Sequence, residues 1–120
     1  MLNLINLRDV LALRVPNVYF NIRSINEVPL EHPEFASIYV DTTNIEYPRK
    51  TQTTYIVVYA KRAANPTDIS EFESFSRSAM SLVVNLQQLF PNANTNIEWG
   101  NNDAYFFAQI KLAIKEVAHV

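Results

Sequence analysis

A chain of 120 residues with 48% hydrophobic and 12% aromatic content is long enough for one packed core and too apolar to stay disordered. Its formal charge of −2 gives no overall attraction to nucleic acid or an anionic membrane, and zero cysteines exclude disulfides and thiolate metal sites without fixing a compartment. The single glycine, Gly100, leaves no room for a glycine-rich phosphate loop, so thirteen asparagines are left to serve the left-handed turn positions.

The N-terminal stretch from Leu2 to Arg14 is interrupted by Asn3, Asn6, Arg8 and Asp9, which suits neither a secretory leader nor a membrane span. Synthesis and folding in the cytosol are expected. Leu4, Leu7 and Leu11 fall on one stripe of a short amphipathic helix, which Pro16 and Asn17 end. Val18 to Arg23 alternates apolar and polar residues and predicts a strand. Ser24 to Glu34, with Pro29 and Pro33, predicts a loop. Phe35 to Tyr47 predicts a second strand with Ala36, Ile38 and Val40 inward, closed by Pro48.

Thr51 to Arg62 is the strongest strand pattern, and its middle is apolar on both faces, which places it centrally in a sheet. Ala63 to Thr67 is a linker. From Asp68 to Phe90 apolar residues recur every three or four positions, the spacing of one buried helix face. Asp68 with Glu71 resembles a capping box, and Pro91 prevents continuation. A short strand over Asn96 to Trp99 and a turn over Gly100 to Asp103 lead into a long strand, Ala104 to Val117. The lysine-rich end of that segment also fits a helical period, but alternation over five consecutive pairs favours strand.

Helix, three strands, helix and two strands make a single domain over residues 1–120. The expected class is α+β: two layers, a mainly antiparallel five-stranded sheet with one long and one short helix. Short connections favour a meander for the first three strands and a hairpin for the last two.

Catalytic chemistry finds no pattern here. Glu31, His32 and Glu34 with the distant His119 have no metal-ligand spacing, no serine sits in a nucleophile elbow, and Glu71 and Glu73 point to different helix faces. No enzyme, metal or cofactor is expected. Arg49-Lys50 and Lys61-Arg62 mark strand ends, where they protect edges or form loop contacts with phosphates or acidic neighbours. If the strand phases hold, Tyr39, Tyr55, Val57, Tyr59, Tyr105 and Phe107 share the sheet face away from the helices. They form an aromatic patch that a second subunit covers, unless the first helix lies over it.

The strands FASIYVDTTNIEY and TTYIVVYAKR, the helix DISEFESFSRSAMSLVVNLQQL and the closing AYFFAQIKLAIK follow one another in an order that resembles the tail-terminator and tail-completion proteins of tailed bacteriophages. The likeness is one of architecture and size across the whole chain, carried by no single motif. It implies a structural virion protein made in the host cytoplasm. Such subunits form a hexameric ring on the tail tube, stop its growth and join it to the neck or connector. It also implies passage of DNA through the ring, with no catalysis, cofactor or membrane. The aromatic patch and the polar face of the long helix are the expected contact surfaces, with Arg49 and Lys50 as channel or loop contacts. The alternative reading is a small dimeric α+β module binding a hydrophobic small molecule on its sheet face.

Overall fold

A computed structural model describes residues 3–21, 32–46 and 50–117. Helix α1 spans Leu4–Ala12, β1 Val18–Phe20, β2 Glu34–Glu46, β3 Lys50–Arg62, α2 Ile69–Leu89, β4 Asn94–Asn101 and β5 Tyr105–Val117. The five strands form one sheet in the order β1-β2-β3-β5-β4, antiparallel except for the β1–β2 pair. The class is therefore α+β, as the pattern of elements predicts.

The central strand owes its place to composition. Tyr55 to Ala60 is buried on both faces, so β3 has partners along both edges: β2 on one side and β5 on the other. Leu7 and Leu11 of α1 and Phe75, Ala79, Leu82, Val83 and Leu86 of α2 join a single core with the inner face of the sheet. Both helices thus lie on the same side.

The first three strands do not form a meander. β1 runs parallel to β2, with Val18 opposite Ala36 and Phe20 opposite Ile38. Residues 21–33 between them are long enough to reverse the chain and return it in the same direction, which a tight hairpin cannot do. β1 is also short. Asn21 ends it in the left-handed region at φ 69°, a position that the scarcity of glycine leaves to asparagine.

Local chemistry fixes the ends of α2. Asp68 accepts a hydrogen bond from the Ser70 amide, which caps the helix. Glu71 does not complete a capping box: its carboxylate accepts from the amides of Ala64 and Asn65, clamping the linker to the first helical turn. In the last hairpin, the Asn102 side chain accepts from the amides of Ala104 and Tyr105, so the turn falls later than expected and Gly100 and Asn101 stay in β4. Gly100 has no positive φ. It is needed for close approach, because a Cβ there would overlap the Phe107 ring on the neighbouring strand.

Candidate functional site

The aromatic patch expected on the open face of the sheet is not assembled. Tyr55, Val57 and Tyr59 point to the helices and are 0%, 0% and 1% exposed. Cross-strand partners give the reason. Ala36 and Ala108 flank Tyr59 in register, and these small residues leave room for a phenol ring under α2, where it stacks on Phe75 with centroids 5.3 Å apart. Each phenol reaches a polar partner at the core's edge. Tyr55 accepts from the Asn3 amide at 2.8 Å, and Tyr59 donates to the Glu34 carboxylate.

Tyr39, Tyr105 and Phe107 do lie on the opposite face, as expected, but without forming an open surface. Tyr39 packs with Ile56 and Val58, and Tyr105 with Phe35 and Ala60; Phe107 is half-buried. The Tyr39 hydroxyl accepts from Gln109, and the Tyr105 hydroxyl donates to the His32 carbonyl at 2.8 Å. A row of edge-to-face rings, His32, Tyr19, Phe35 and Tyr105, continues along this side. His32 is thereby a packing residue. Among the described residues no three His, Asp or Glu side chains converge on a point, and no helix is long and apolar enough to cross a membrane.

What the sheet does expose is its end. Asp41 to Ile45 are five consecutive exposed residues of β2, so neither face of that stretch is covered. An extra residue at Asp41 shifts the register between Val40 and Thr42, after which β2 pairs with β3 from Thr42–Thr54 to Glu46–Lys50. β5 runs alongside β3 to Val117, whereas β4 stops pairing at Ala113 and β1 at Ile38. The outer parts of β2, β3 and β5 therefore form a three-stranded arm. Among the described residues both of its edges are unpaired. Ile45, near the tip, is 82% exposed, and Lys50 lies at the tip beside Glu46. Arg49 lies outside the described residues. Lys61 and Arg62 sit at the far end of β3, where the Arg62 guanidinium lies 5.9 Å from the centre of the Tyr105 ring.

Two clefts flank α2. One, of about 320 Å³, lies at the helix's N-terminal end between Phe72, Trp99 and Phe106, with Ile69 and Asp68 on its rim. The other, also about 320 Å³, places Arg14, Arg77, Ser78 and Ser81 around Tyr59 and Glu34. Burial, and then the neighbouring Glu34 carboxylate, push the Tyr59 phenol well above its ordinary value, so it stays a neutral donor at any physiological pH. Sequence reasoning missed both clefts, since each is built from three or more separate segments.

No family model matches the chain, and no curated protein matches it in sequence.

Proposed function

We propose that this protein is a tail terminator of a tailed phage. In this reading its copies close into a six-membered ring at the end of the tail tube and join the tube to the neck or connector. Two features support it. The order of elements is the one that suggested the resemblance, and the subunit carries an arm built for contact. The arm carries more of the argument. A 51 × 24 × 22 Å subunit whose sheet outruns its helices presents, among the described residues, two unpaired backbone edges that strand addition by a neighbouring subunit would satisfy.

The contact surface therefore moves from the aromatic patch to the arm. Closed rings need heterologous contacts, in which an element at one place on a subunit meets a different place on the next. An elongated subunit with an arm at one end meets that need. The role is structural: the subunits are made in the host cytoplasm, join the virion, and leave an opening for DNA. Neither a cofactor nor a membrane takes part. The small-molecule alternative needs an accessible sheet face, and the burial of Tyr39, Ile56 and Val58 disfavours it.

A tube-assembly assay tests the proposal. Added to polymerising tail-tube protein of its own phage, the chain is expected to arrest elongation and to appear as a cap at one tube end in negative stain. Uninterrupted tube growth with no caps would overturn it.

A further inference from the structure

The cleft of about 320 Å³ between Arg14, Arg77 and the Tyr59–Glu34 pair is a site in its own right, independent of the ring reading. Its charges come from three places in the fold. Arg14 follows α1, Arg77 stands on the exposed side of α2, and Glu34 opens β2. The opposite charges that share this cleft are nevertheless not paired with one another. Among the described residues the one ion pair joins Arg8 to Asp9, so Arg14, Arg77 and Glu34 hold none, and Glu73, one turn before Arg77, does not engage it. The Glu34 carboxylate accepts from the Tyr59 phenol through Oε2; no donor reaches Oε1 among the described residues.

The number and sign of these groups select the ligand. A plain anion would crowd Glu34, and a plain cation would crowd two guanidiniums. An acidic amino acid avoids both conflicts. Its two carboxylates match the two arginines, whose planar forks suit carboxylates, and its ammonium matches the open oxygen of Glu34. Its single net negative charge offsets the single net positive charge of the cleft. Ser78 and Ser81, three apart on one face of α2, add hydroxyls that accept from the ammonium or donate to a carboxylate. The volume lies at the small end of ligand pockets, which suits a free amino acid. We propose that this cleft binds an acidic amino acid, with Arg14 and Arg77 holding its two carboxylates and Glu34 its ammonium.

Isothermal titration of the full chain with L-glutamate and L-aspartate tests this. Succinate serves as a dicarboxylate without an ammonium, and inorganic phosphate as a plain oxyanion. Saturable binding of at least one of the amino acids, about tenfold or more tighter than either control, is expected. Arg77→Gln, at an exposed helix position, should weaken that binding by about tenfold or more, since a charge-assisted bond is removed. Glu34→Gln keeps an acceptor for the Tyr59 phenol but removes the charge. It should therefore narrow the preference over succinate, a change of selectivity that a merely structural role would not produce. Succinate or phosphate binding the parent as tightly as the amino acids would overturn the proposal and leave only a patch for anions. Binding that Arg77→Gln leaves unchanged would overturn it too, as would the absence of saturable heat with both amino acids at millimolar concentration.

Discussion

The Tyr59 phenol donates a hydrogen bond to the Glu34 carboxylate, tying the central strand to the first residue of its neighbour against the flank of α2. The phenol's raised pKa means the folded chain holds this proton more tightly than the unfolded chain does. The stabilisation is therefore complete below the ordinary phenol value of about 10 and is lost as pH rises from there toward the folded value. Tyr59→Phe is expected to lower stability by about 1–2 kcal/mol near neutrality, the size of a hydrogen bond to a charged group on a half-exposed carboxylate. It should also flatten the alkaline fall. Urea midpoints from about pH 8 to pH 11 for the two proteins check both expectations.

Gly100 lies under the Phe107 ring, and a methyl group there would overlap it. Gly100→Ala is expected to cost about 1–3 kcal/mol by overpacking. Because the conflict is with one ring, Phe107→Leu in the same chain should recover part of the loss. A double-mutant cycle by chemical denaturation measures the coupling, and simple additivity would contradict the account.

Asp68 caps α2, and its bonds to the Ser70 hydroxyl and amide hold its pKa below the usual carboxylate value. The cap's contribution is present above that usual value, about 4, and fades as pH falls through the lowered one. Asp68→Ala should lose it at every pH. Asp68→Asn should keep a cap that no longer fades in acid. Thermal midpoints between about pH 2 and pH 7 distinguish the three proteins.

Ile45→Asp places a charge on an exposed arm residue with no role in the core. Monomer stability is expected to stay within about 0.5 kcal/mol of the parent, as for ordinary surface changes. Ring formation is expected to fail, because an aspartate within an arm contact would give up its water without gaining a partner. Denaturation and negative stain of the same preparation check the two halves of this expectation.

Much of the fold was legible because its pattern is local. The three-to-four spacing from Phe72 to Leu89 specified a helix, and alternation from Phe106 to Ile114 specified a strand even where lysines also suited a helix. The phase of β3 was not legible. Tyr55, Val57 and Tyr59 on one side and Ile56, Val58 and Ala60 on the other are equally apolar, so periodicity gives no direction. The deciding signal lay in other strands, in the small residues Ala36 and Ala108 that flank Tyr59. The arm escaped notice for another reason. Thr42 to Ile45 has good strand character, and only the shortness of β1 shows that, among the described residues, nothing pairs with its outer edge.

The central claim is that the uncovered arm makes this chain assemble with itself. Native mass spectrometry of the parent protein across a concentration series, alone and with tail-tube protein, tests it most directly. A single closed oligomer of six copies is the predicted result. A monomer throughout, indifferent to the tube, would contradict it.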